Sequence, residues 1–171
     1  MHIDKPVLPT RKRICHVAPV WITDQPVFFI TICCEKTNRI ELTQPESAAF
    51  ICDSFFYRQK LGQWHVHYLL LMPDHLHTLL SFGTQRTMKQ VISNWKHFAS
   101  SQMKIAWQRD FFDHRIRSEN SFADKWEYIR QNPVRKGLID HVDEWPYSWT
   151  GQPADESPPA ECGGHGVTAL P

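Results

Sequence analysis

The spacing of apolar positions along this 171-residue chain predicts an α+β fold. The expected form is a ferredoxin-like βαββαβ sandwich on an antiparallel sheet, with one helix added at the C-terminal end. Three observations carry that expectation. Short runs rich in β-branched, aromatic and leucine residues, at 27–34, 64–72 and 75–82, have the length and composition of strands. Two longer stretches repeat their apolar residues at helical spacing, each behind a Thr-x-x-Glu or Thr-x-x-Gln start. The second and third strands are joined only by Pro73-Asp74, too little chain for anything but an antiparallel hairpin.

Taken in order, residues 1–26 hold four prolines and few periodic apolar positions, and read as an extended basic arm. Residues 27–34 (VFFITICC) fit a central strand. Thr43-Gln-Pro-Glu46 has capping-box spacing, and Ala48, Ile51, Cys52 and Phe55 behind it predict a helix of about four turns ending near Gly62. The hairpin of 64–72 and 75–82 follows. Thr87-x-x-Gln90 opens a second helix through about Gln102, with Met88, Ile92, Trp95 and Ala99 inward and Lys89, Lys96 and His97 outward. Residues 107–112 are expected to form a short fourth strand. A third helix starts at Ser118 or Ser121 and must stop at Pro133. Residues 145–149 (WPYSW) fold back as an aromatic clip, and 151–171, rich in Gly, Pro and acid, form a disordered tail. The domain is therefore expected to span 27–150.

Size and composition suit one soluble domain. No apolar run approaches the roughly 20 residues of a membrane span, and no secretory signal opens the chain, so a cytoplasmic location is expected. Five cysteines without a CxxC pair support neither a disulfide framework nor a zinc knuckle. Charge is unevenly spread. Residues 86–136 carry eleven Lys/Arg against five Asp/Glu, whereas 137–171 carry six Asp/Glu and no Lys/Arg. A basic middle interleaved with Trp, Phe and His suits single-stranded nucleic acid, though basic helices are often simply solvated.

Two stretches carry chemistry. In Met72-Pro-Asp-His-Leu-His77 the strand period turns His75 and His77 to one side and Leu76 to the other. Two imidazoles side by side make half of a divalent-metal site, or two polar residues on a wet sheet face. In the third helix Phe122, Trp126 and Ile129 share the core stripe, while Lys125, Tyr128 and Asn132 share the adjoining one. Tyr128 and Asn132 there can lean on whatever the helix covers, or serve as a marginal core residue and a C-cap before proline. A second pair, His65 and His67, has no such turn or helix and reads as surface or DNA-facing polar residues.

Met-Pro-Asp-His-Leu-His, followed about fifty residues later by Trp126-Glu-Tyr-Ile-Arg-Gln-Asn-Pro-Val-Arg-Lys-Gly-Leu138, resembles the REP-associated tyrosine transposases. These are single-tyrosine relatives of insertion-sequence transposases with a His-hydrophobe-His motif. The likeness covers roughly residues 20–150. It implies a metal site of His75, His77 and Asn132 for Mg²⁺ or Mn²⁺, and Tyr128 as nucleophile. It also implies single-strand cleavage and transfer at hairpin-forming, REP-like repeats through a 5′-phosphotyrosine. A phenol titrates near about 10, so a cation is expected beside it. Arg11, Arg13, Lys89, Lys96, His114, Arg115, Arg117 and Lys125 are the expected DNA contacts. Many family members carry a Gly-Thr-x-Tyr base-recognition motif near the first strand, and here that region reads RKRICHVAPVWI. Two rival functions share these residues: a hairpin binder that no longer cleaves, and a phosphodiesterase using water. A protein–DNA adduct separates both from the transposase chemistry. Monomer and homodimer, with the tyrosine acting on its own or a partner's histidines, remain equally compatible with the sequence.

Overall fold

A computed structural model describes residues 25–151. The expected arm, including Arg11 and Arg13, and all but the first residue of the expected tail lie outside the described residues. Five strands, β1 (Val27–Cys33), β2 (Trp64–Leu71), β3 (His75–Phe82), β4 (Phe112–Arg115) and β5 (Ser148–Thr150), form one sheet in the order β4-β1-β3-β2-β5. Every pairing is antiparallel. The first four strands, with α1 (Pro45–Lys60) and α2 (Met88–Met103) in the two crossovers, reproduce the ferredoxin-like arrangement. The added helix, α3 (Glu119–Arg130), continues into a short α4 (Asn132–Arg135).

The two faces of the sheet carry separate cores. Ile30, Ile32, Leu69, Leu71, Leu76 and Leu80 pack under Ile51 and Phe55 of α1 and Ile92 and Trp95 of α2. Val27, Phe29, Tyr68, Leu70, Met72 and Leu79 pack with Ile129 of α3, flanked by Phe122 and Trp126. The stripe predicted for α3 is the one it buries. Strand β2 feeds both cores through an irregularity between Val66 and Tyr68, which reverses the side-chain alternation. Trp64 and Val66 before it share a face with Leu69 and Leu71 after it. The extra residue, His67, is turned inward and buried, its Nε2 2.8 Å from Ser81 Oγ. Burial pushes its pKa down to about 3 and that of His65 to about 4. The surface or DNA-facing reading is therefore corrected for His67, while His65 is half-buried.

Local chemistry explains the other departures. α1 starts one residue later than the Thr43 capping box predicts. A residue preceding proline avoids helical backbone, so Gln44 stays extended as the N-cap and Pro45 takes the first helical position. The Thr87–Gln90 capping box forms as expected. Lys96, expected to face outward, is buried, and its ammonium donates to the carbonyls of Gln108 at 2.6 Å and Arg109 at 2.8 Å. That anchor gathers 108–110 into a loop, so only Trp107 bridges Cys34 and the fourth strand begins at Phe112 rather than Trp107. The 145–149 segment does fold back. Trp145 Nε1 donates to Leu71 O at 2.9 Å, and the residues after it form strand β5 beside β2. No helix among the described residues is long and apolar enough to cross a membrane.

Candidate active site

The Pro73-Asp74 turn is pinned from the outside, Cys34 N donating to Asp74 O and Leu42 N to Pro73 O. Strand β3 leaves this fixed turn with His75 and His77 on the α3 face. Their Nε2 atoms converge to 3.2 Å. Both Nδ1 atoms are held from behind, His75 by Asp74 Oδ1 at 2.6 Å and His77 by Thr31 Oγ1 at 2.8 Å, across the β1–β3 pairing. The hydrogen bond from His75 holds the Asp74 carboxyl below the usual range. An ionised carboxylate only accepts, so His75 carries a proton on Nδ1, and in the neutral ring the lone pair is at Nε2. Thr31 can donate or accept, which lets His77 adopt either tautomer. Burial, and then the nearby His75, push His77 down to about 3, so it is neutral at ordinary pH.

These features fit a divalent ion. Two nitrogens at about 2.1 Å from one metal, a right angle apart, lie about 3 Å from each other, close to the spacing found here. Outer partners on both Nδ1 atoms are what ligating histidines require. Among the described residues no group of three or more His, Cys, Asp or Glu is placed to hold an ion.

Helix α3 sets Tyr128 beside His77 of this pair. Its ring centroid is 6.4 Å from that of His77 and 6.1 Å from that of Phe29, and Phe29 in turn stacks on His77 at 5.5 Å. Tyr128 is 39% exposed, whereas Tyr68 on the same face is 4% exposed. Two cations sit on the Tyr128 ring, Lys125 Nζ at 5.3 Å and the Arg135 guanidinium at 4.9 Å from its centroid. Asn132 is buried one turn beyond, its Nδ2 donating to Tyr128 O at 2.9 Å and Ile129 O at 3.2 Å. The second bond has a clear cause. Pro133 has no N–H to offer the Ile129 carbonyl four residues back, which takes a backbone N–H from the helix end and the Asn132 amide instead. α3 ends at Arg130, short of Pro133 as expected, and Pro133 falls in the first turn of the separate helix α4. With its nitrogen so committed, Asn132 has its amide oxygen as the atom suited to an ion.

His75, His77, Tyr128 and Lys125 are thus brought together. His114 sits opposite Phe29 on β4 and shares the site's face, whereas Arg115 sits opposite Phe28 on the other face. Arg117 is exposed in the turn before α3. Lys89 is exposed on α2, in the layer across the sheet from Tyr128, and Lys96 is used inside the protein. Lys96 is therefore not the outward-facing DNA contact expected of it. Sequence reasoning missed Thr31, Asp74 as a histidine partner, Phe29 and Arg135. Only Arg135 left a local signal, since it extends the 125, 128, 132 stripe by three residues past Pro133.

Comparisons with known proteins bear on the sequence and the fold. No family profile matches the chain. A Haemophilus influenzae protein assigned to the REP-associated tyrosine transposases is 30% identical over 91 residues, covering 49% of this chain and 52% of its own length. The Escherichia coli REP-associated tyrosine transposase is 25% identical over 84 residues, covering 46% and 50%. The chain thus spans about half the length of these curated relatives. A solved structure of a REP-associated tyrosine transposase bound to a REP hairpin superposes with a TM-score of 0.63 at 20% identity, over 72% of this chain and 76% of that one. That likeness is one of fold. In sequence over half its length, and in fold over most of it, the chain is similar to the REP-associated tyrosine transposases.

Proposed function

We propose that this protein is a metal-dependent endonuclease and strand transferase for single-stranded DNA, acting beside hairpin-forming repeats. The observation that carries the proposal is the single exposed tyrosine ring set against a pair of converging histidines, with two cations on that ring. His75 and His77, with the Asn132 oxygen, would hold Mg²⁺ or Mn²⁺. The ion would polarise the scissile phosphate as a Lewis acid. Tyr128 Oη attacks the phosphorus and gives up its proton. The bond from phosphorus to the 3′ oxygen breaks, and that oxygen leaves as a 3′-hydroxyl. The 5′ phosphate remains on the tyrosine, so a later 3′-hydroxyl can reverse the step and rejoin strands without a nucleotide cofactor. Lys125 and Arg135 draw phosphate oxygens to the ring. In this proposal the tyrosine acts on the histidines of its own chain.

The test is Tyr128→Phe, assayed on hairpin DNA with an unpaired tail and a divalent ion. The variant is expected to bind as the wild type does and to lose cleavage. Nicking by the variant would remove Tyr128 as nucleophile.

A further inference from the structure

Next to the proposed site, on its open side, stands an aromatic residue with no assigned role. Phe112 begins the edge strand β4 and is 58% exposed, although it is apolar. A lone exposed Phe is common on protein surfaces; its setting separates this one. It pairs with Thr31, the residue that holds His77, and therefore stands on the face that carries the histidines and Tyr128. Its ring packs edge-on against Phe29 at 6.0 Å, and Phe29 packs edge-on against Tyr128 at 6.1 Å. A row of rings thus runs from the tyrosine to the rim of the sheet, and its outer member is open. Cations accompany the row. Lys125 Nζ lies 5.1 Å from the Phe29 ring centre, and exposed His114 follows on the same face. Among the described residues neither Lys125 nor Arg135 has an ion-pair partner, so both remain available to an anion.

We infer that Phe112 is the platform on which an unpaired base next to the scissile phosphate stacks. The inference rests on the reading that Tyr128 meets single-stranded DNA. A phosphate drawn to Lys125 and Arg135 brings its neighbouring nucleotide along the ring row. The exposed face at the end suits the flat apolar face of a base, whatever its identity. Phe112 then sets where the strand lies relative to Tyr128 without taking part in bond making. Duplex DNA, whose bases are already stacked, gains nothing from it.

The experiment compares two oligonucleotides in EDTA, where no cleavage is expected: a blunt DNA hairpin, and the same hairpin with an unpaired tail containing 2-aminopurine. Wild-type protein is expected to bind the tailed hairpin about tenfold more tightly and to quench the 2-aminopurine, as one stacked base provides. Phe112→Leu should reduce that preference to less than about twofold and abolish the quench, with an unchanged melting temperature. Phe112→Trp should restore both. A preference and quench unaltered in Phe112→Leu, or lost and not restored by Phe112→Trp, overturns the inference. The two readings can fail separately. Absence of any tail preference in a wild-type protein that still forms a Tyr128 adduct removes the platform and spares the chemistry. A Phe112-dependent preference without that adduct does the reverse.

Discussion

Thr31 and Asp74 decide what the histidine pair can do, because each fixes the far nitrogen of one ring and so aims the other. Without Thr31 the Nδ1 atom of His77 would lose its hydrogen-bond partner, although stacking on Phe29 would still hold the ring plane. Thr31→Val should therefore leave the fold intact and weaken Mn²⁺ binding, followed by calorimetric titration, by about 10- to 100-fold. Thr31→Ser, which keeps the hydroxyl, should bind nearly as the wild type does. Equal affinities in all three proteins would show that the hydroxyl has no part in the site. Strand and helix periods put the histidines, Tyr128 and Asn132 on defined faces, but only the resemblance to the tyrosine transposases singled them out as a site. Thr31 was not legible in the sequence, since its partner lies 46 residues away and only the pairing register brings the two together.

At the scale of elements, the parts readable in the sequence are those whose causes are local. The hairpin follows from a two-residue connection, and α2 begins where its capping box says. Strand β4 was displaced because all four of its residues are exposed, leaving no alternation to detect. Strand β5 has three residues and depends on β2 being present already. The irregularity at His67 is hidden in a sequence that reads as one uninterrupted strand. Lys96 looked like a solvent-facing helix lysine, yet its ammonium organises the loop that delays β4. Replacing it with Met keeps an apolar stem and removes the donor. Lys96→Met should lower unfolding free energy by about 1–3 kcal/mol in urea titrations, with little effect on DNA affinity. A stability equal to the wild type would mean that the loop holds itself.

Across the whole molecule, the sheet separates two jobs. Its α1/α2 side is a closed apolar core, and its α3 side carries the histidines, the tyrosine and a second core that includes buried imidazoles. His67 and His65 titrate at about 3 and about 4 when folded, because burial opposes their charged forms, and near about 6.5 when unfolded. Their neutral forms therefore support the fold fully above about pH 6.5. That contribution drains away as pH falls towards 4, where the unfolded chain takes up protons that the folded one refuses. Urea unfolding in EDTA should show stability falling over this window, with a shallower slope for His67→Gln; identical slopes would contradict the assignment. The central claim is that one tyrosine of the four in the chain becomes joined to DNA. Tyr57 lies on α1 across the sheet, Tyr68 is buried, and Tyr147 packs against Trp145. The direct measurement is peptide mapping by mass spectrometry, after incubating the protein with tailed hairpin DNA and Mn²⁺. The account predicts a 5′-phosphorylated DNA fragment on the peptide containing Tyr128. Cleaved DNA with no adduct, or an adduct on any other residue, would contradict it.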